Sequence, residues 1–228
     1  MVELGISTFG EITELEGTGQ TYSHAERIRQ LVAEIELADK VGLDVYGIGE
    51  HHRADFAVSA PEIVLAAGAV NTKKIRLTSA VSILSSMDPI RLFQQYATID
   101  ALSNGRAEIM AGRGSFTESF PLFGYDLKDY DSLSKQVVDA ISKDRPHWQE
   151  LRYEQYLEQV GSNGAMFVGN PDQVAEKLIR MIEDLGLDRF MLHLPLGSMP
   201  HDQVLRAIEL FGTQVAPKVR AYFAMKEA

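Results

Sequence analysis

The sequence predicts an α/β fold, a parallel sheet with helices packed outside it. Short β-like runs alternate with longer helical patterns along the chain. The helical stretches are long enough to carry the chain back across a sheet, as parallel strands require. No linker, repeat or low-complexity stretch interrupts the alternation, so residues 1–228 read as one domain.

The first strand spans residues 2–9. Ser23, with Glu26 three positions on, forms a capping box. The helix behind it carries Ile28, Leu31, Val32, Ile35 and Ala38 at helical spacing, and Gly42 ends it. Residues 43–49 read as the second strand. A helix follows at 60–70, with Pro61 in its first turn. Residues 75–84 form the third strand; Asp88-Pro89 then opens a helix that runs to about Leu102 and stops at Asn104-Gly105. The fourth strand is 106–111, leading into Gly-Arg-Gly-Ser at 112–115. Residues 120–130 read as loop and short helix, and 136–160 as polar helix interrupted by Pro146. Residues 165–168 form a strand, Asn170-Pro171 starts a helix to 185, 190–194 form the last strand, and 201–216 a closing helix. That makes six strands, with no strand pattern between 130 and 161. A (β/α)₈ barrel needs eight and typically about 250 residues.

The chain is 45% hydrophobic and 24% charged, an ordinary globular balance. A net charge of −10 with scattered basic residues argues against nucleic acid or an anionic membrane as partner. The absence of cysteine excludes disulfides, thiolate metal sites and cysteine nucleophiles. The opening MVELGISTFG has no basic stretch and reads as strand rather than signal peptide. No apolar run approaches the roughly 20 residues of a membrane span. The expectation is a soluble, cytoplasmic protein.

Ligands of parallel α/β folds bind at the carboxyl ends of the strands. Three stretches stand there: Glu50-His51-His52, Ser79-Ala80-Val81 and residues 112–115. Gly112 and Gly114 would let the backbone approach an anion, with Arg113 and Ser115 as donors; the same residues also make a plain turn. Neighbouring side chains on a strand point to opposite faces. His51 and His52 therefore do not converge on a metal, and no metal site is expected. Glu50 and His52 are left to packing and hydrogen bonding. His51 would face the mouth of the sheet and exchange protons near neutral pH, although a histidine satisfied by backbone groups fits the strand pattern equally well. His193 and His201 read as structural. No nucleophile elbow, dinucleotide fingerprint or P-loop is present.

Taken in order, the segments GIGEHH at 47–52, RLTSAVSILSSMDPIRLFQQYATIDALSNGRAEIMAGRGSFTESFPLFGYDL at 76–127 and FVGNPDQVAEKLIRMIEDLGLDRFMLHLPLGSMPHDQVLRAIELFGTQVAPKVR at 167–220 resemble the bacterial luciferase-like, flavin-dependent monooxygenase family. The resemblance implies a TIM-type (β/α)₈ barrel binding FMN, or in one branch the deazaflavin F420, at the strand ends. It places His51 beside the flavin ring as the acid–base residue. Ser79, Ala80 and Val81 would pack against the ring, where the family often carries a non-prolyl cis peptide, here Ala80–Val81. Gly112, Arg113 and Gly114, with Ser115, match the turn that contributes to flavin phosphate binding. The implied activity is oxidation of a small organic substrate by reduced FMN and O₂, the reduced flavin often coming from a separate reductase, in a homodimer. An F420-dependent oxidoreductase and a non-catalytic flavin-binding protein are the alternatives. Phe9, Phe116 and Phe120 suggest an organic substrate. The family's fifth and sixth strands have no counterpart: they are missing near 132–137. The chain is then either a natural short form or a sequence that omits an internal stretch, and the exposed barrel edges that such a deletion would leave favour the second.

Overall fold

The computed structural model describes residues 2–12, 14–15, 19–83, 87–112, 118–124, 161, 164–194 and 199–227. Its centre is a parallel sheet ordered β7-β5-β4-β1-β9, built from β1 (Glu3–Thr8), β4 (Val45–Ile48), β5 (Arg76–Ser79), β7 (Ala107–Glu108) and β9 (Arg189–His193). Ser7 stands opposite Gly47 on one side and His193 on the other. Ile48 stands opposite Ser79, and Thr78 opposite Glu108. A short antiparallel ribbon, β2 (Glu14–Leu15) with β3 (Gln20–Thr21), precedes the first helix; nothing in the sequence pattern announced it.

Helices α1 (His24–Lys40), α2 (Pro61–Asn71) and α3 (Pro89–Ser103) cover the outer face of the sheet. Leu4, Ile6, Tyr46, Ile48 and Leu77 pack there against Leu31 and Ile35 of α1, Leu65 of α2 and Leu92 and Ile99 of α3. Each such aliphatic side chain contributes about 1.5–3 kcal/mol relative to exposure. The caps follow the sequence. Ser23 and Glu26 exchange hydrogen bonds as a capping box, Asp88 accepts from the Arg91 amide, and Asn104 takes the left-handed conformation that ends α3. Helix α5 (Pro171–Leu185) begins with a second capping box, Asn170 with Gln173, and ends at left-handed Gly186. A short α4 (Ser119–Leu122) precedes it in the chain.

The structure corrects four expected elements. The strand expected at 75–84 is two: β5, and β6 (Ser82–Ile83), which pairs with β8 (Ala111–Gly112) away from the main sheet. The Ala80 amide still donates to Ile48, but the Ser82 amide donates to Met110, and the chain changes partner between them. The strand expected at 106–111 is likewise divided into β7 and β8. Arg106 turns its guanidinium onto the Ile75, Ala69 and Thr72 carbonyls, and the Ser79 hydroxyl bonds both the amide and the carbonyl of Met110. Residues 165–168 form no strand. Lys177 on α5 donates to the Met166 carbonyl at 2.6 Å and to that of Gly161 at 2.8 Å, so a side chain occupies an acceptor that a ladder would need. The last helix runs past 216: α6 (His201–Leu210) passes through one wide π turn, Phe211–Val215, into α7 (Ala216–Glu227). The expected helix at 136–160 and the junction near 132–137 lie outside the described residues. Among the described residues no helix is long and apolar enough to cross a membrane.

Candidate functional site

The carboxyl ends of β1, β4, β5 and β9 meet at one mouth. Its floor is made of small inward positions. A Cβ on Gly47 would stand 2.9 Å from Met191 Cε, 3.1 Å from Ala80 Cβ and 3.4 Å from Ser7 Cβ, so these four residues share the inner face and only glycine fits at 47. Above them sits the ring of Phe9, with a histidine on each side: His51 at 4.8 Å, edge-on, and His193 at 4.5 Å, tilted. Phe56 stacks on His51 at 4.1 Å, closing it from outside.

Each histidine has a carboxylate behind it. His51, 6% exposed, places Nδ1 3.1 Å from Glu118 Oε1. A carboxylate accepts, so Nδ1 carries the proton and Nε2 is the basic nitrogen of the neutral ring. His193 donates from Nε2 to Glu11 Oε1 at 3.0 Å, and its Nδ1 lies 3.4 Å from the Ser7 hydroxyl. Thr8 holds the other oxygen of Glu11 at 3.2 Å. His52 points away from this mouth and donates to Glu50 Oε1 at 2.7 Å. Adjacent histidines thus face opposite ways, although both lie beyond the end of β4 at Ile48.

The other expected residues divide. Ala80 and Val81 are half-buried beside the mouth, and the peptide joining them is cis. Gly112 is brought against them: a Cβ there would come within 2.7 Å of Val81 Cγ2, a close approach that requires glycine. Ser79 lies apart. Its 0% exposed side chain is spent on the Met110 backbone, with the Tyr96 phenol, pushed up chiefly by burial, at its back. Arg113, Gly114, Ser115 and Phe116, and the side chain of Phe120, lie outside the described residues. Glu11, Glu118 and His193 were missed or set aside in the sequence. Glu118 is 67 positions from His51, and His193 is 182 from Glu11, so no local spacing joins them. Among the described residues no three His, Asp or Glu side chains are placed to hold a metal.

Comparison with known proteins decides the family. Residues 2–143 match the family model described as luciferase-like monooxygenase. The chain belongs to that family. Among curated luciferase-like relatives, an N-acetyl-S-alkylcysteine monooxygenase of Bacillus subtilis is 31% identical over 153 residues, covering 64% of this chain and 44% of that protein. The chain spans well under half the length of such relatives, 35% for another. A crystal structure of a monooxygenase from Streptomyces bottropensis superposes with a TM-score of 0.71 at 15% identity, over 95% of this chain and 99% of that one. The coenzyme F420-dependent tetrahydromethanopterin reductase of Methanopyrus kandleri superposes at 0.59, also at 15% identity, with the same coverage. The fold of this luciferase-like chain is that of these α/β oxidoreductases, and its described strands form five of the parallel set.

Proposed function

We propose that the chain is a flavin-dependent monooxygenase, a single domain that uses reduced FMN and O₂ to oxidise a small organic substrate. The observation that carries this reading is His51, held by Glu118 in one tautomer between Phe9 and Phe56 at the strand ends. The described part of the mouth fits a flat ring system. Ala80, Val81 and Gly112 give one wall, and the floor of Ser7, Gly47, Ala80 and Met191 carries no large side chain except the methionine. Arg113, Gly114 and Ser115 are the proposed phosphate contacts. When bound, the flavin supplies the redox chemistry with O₂.

The chain's own residues then do four things. Phe9 and Phe56 exclude water from the His51 ring. Glu118 fixes its orientation through the bond at Nδ1. His51 Nε2 takes up or gives a proton at the reacting atoms, acting as general acid–base. Ala80 and Val81 orient the ring plane. We propose further that the reduced flavin arrives from a separate reductase and that the protein works in the cytoplasm. We also propose a homodimer, since Ile63 and Val70 on α2 and Ile90 and Phe93 on α3 are each more than 60% exposed on neighbouring helices. An F420-dependent oxidoreductase is the second reading, on the likeness to the tetrahydromethanopterin reductase.

A titration of FMN into the purified protein, followed by flavin fluorescence with F420 in parallel, tests the proposal. Saturable FMN quenching, with consumption of reduced FMN and O₂ above the free rate, is the expected result. Binding of F420 alone transfers the reading to the deazaflavin branch. FMN binding without turnover leaves a flavin carrier, and binding of neither ends the carry-over from the family.

A further inference from the structure

On the side of the β4 end away from His51, a cavity of about 240 Å³ opens between the first turns of α2 and α3. Its polar wall is Glu50, His52, Ser59, Glu62, Asp88, Arg91 and Gln95, with Met87 and Phe123 as apolar sides. The Glu50 side chain is only 4% exposed. One of its oxygens, Oε1, accepts from His52, while Oε2 has no hydrogen-bond partner among the described residues. Glu62 accepts from Gln95 Nε2 at 3.0 Å, which leaves the buried Gln95 Oε1 without a partner as well. Asp88 is engaged as the cap of α3, and Arg91 is exposed.

Beside the Ser59 hydroxyl and the exposed Arg91, the buried groups left open are both acceptors, a carboxylate oxygen and an amide oxygen, with a second carboxyl next to them. A buried acceptor is costly to leave unpaired, so this wall is complementary to a ligand rich in N–H donors and positively charged. The space exceeds a single ammonium ion and admits a short organic group behind the charged head, against Met87 and Phe123. We propose that this cavity binds a small organic cation, an alkylammonium or guanidinium group, through Glu50 Oε2 and Gln95 Oε1. The site is separate from the mouth and does not depend on the flavin reading.

Burial pushes the Glu62 carboxyl above its ordinary value, and the Glu50 charge adds to this. The groups facing it are Glu50, His52, Asp88 and Arg91. A cation docked among them favours the ionised form of Glu62.

Isothermal titration of the full chain with methylguanidinium chloride and propylammonium chloride tests this, with tetramethylammonium chloride, which has no N–H, as control. Saturable binding of the first two in the millimolar range or tighter is expected. Glu50→Gln and Gln95→Leu should each weaken binding by about tenfold, or 1.4 kcal/mol. Gln95→Leu is the safeguard should Glu50→Gln fail to fold, and a thermal melt of each variant establishes that it is folded. Absence of saturable heat with both cations, equal binding of tetramethylammonium, or unchanged binding in folded Gln95→Leu would overturn the proposal.

Discussion

The two ends of the parallel sheet use the same inward-facing strand positions for opposite purposes. At the amino end, Glu3, Arg76, Glu108 and Arg189 form a closed ring. Arg189 meets Glu108 at 2.5 Å and Glu3 at 2.7 Å; Arg76 meets Glu108 at 3.1 Å and also pairs with Glu3. Two positive charges face two negative ones. Arg76 chiefly holds the Glu3 carboxyl below its usual value, and Glu108 chiefly raises Arg189. At the carboxyl end the same strands present Ser7, Gly47, Ala80 and His193, with Phe9 and His51 above them. Here each of two histidines is paired with one glutamate, His51 with Glu118 and His193 with Glu11. One end has committed its charges to each other. The other sets two histidine–glutamate pairs around Phe9, above small residues. This is the division of labour between stability and chemistry expected of barrel folds.

Substitutions at each end test whether that division is clean. The largest effect is expected for His51→Ala. Turnover of reduced FMN should fall by about 10²–10⁴-fold, the usual worth of a general acid–base group, while FMN affinity by fluorescence titration changes little. Loss of FMN affinity and of the folded state together would make His51 a structural residue. At the other end, Arg189→Leu leaves Glu3 and Glu108, each about 30% exposed, to share Arg76 alone. A stability loss of about 1–2 kcal/mol is expected by urea denaturation, larger than for an isolated surface pair because the arginine serves both carboxylates. FMN binding should be untouched; a parallel loss of it would show that the two ends are coupled. The smallest effect concerns acid. Because the Glu3 carboxyl is held low in the folded chain, its contribution is fully present above the unfolded value of about 4.3 and fades as pH falls through the folded value. The melting-temperature difference between wild type and Glu3→Gln should be constant above about pH 5 and shrink below pH 4; a difference that grows on acidification would remove Glu3 from the ring's account.

The helices were legible in the sequence because their signals are local. Ser23 with Glu26, Asp88 before Pro89, and Asn170 with Gln173 all act within one turn. The strands of β1, β4 and β9 were legible because they are apolar runs bounded by turns. What could not be read is whatever depends on a partner far along the chain. The Ser79 hydroxyl takes over the Met110 backbone from 31 residues away and divides two expected strands. Lys177 does the same to residues 165–168. Of the candidate site, the strand pattern left His51 open between an acid–base and a structural reading, and it lies beyond β4 at Ile48; the Ala80–Val81 position was marked by resemblance. Glu118, Glu11 and His193 join only through the folded sheet, and no spacing in the sequence could have found them.

The position of β1 has a consequence for how the protein is made. The first strand of the chain lies between β4 and β9, with Glu3–Ser7 registered against Arg189–His193. Until that last strand leaves the ribosome, β1 presents an open edge. At roughly 5–20 residues per second the wait after β4 is on the order of ten seconds. Such long-range pairing is slow, and the exposed edge is a template for the wrong neighbour. The mouth inherits this order of events. Ser7 meets His193, and His193 meets Glu11, only when β9 pairs with β1, so the half of the mouth opposite His51 cannot form before residues near 193 have been made.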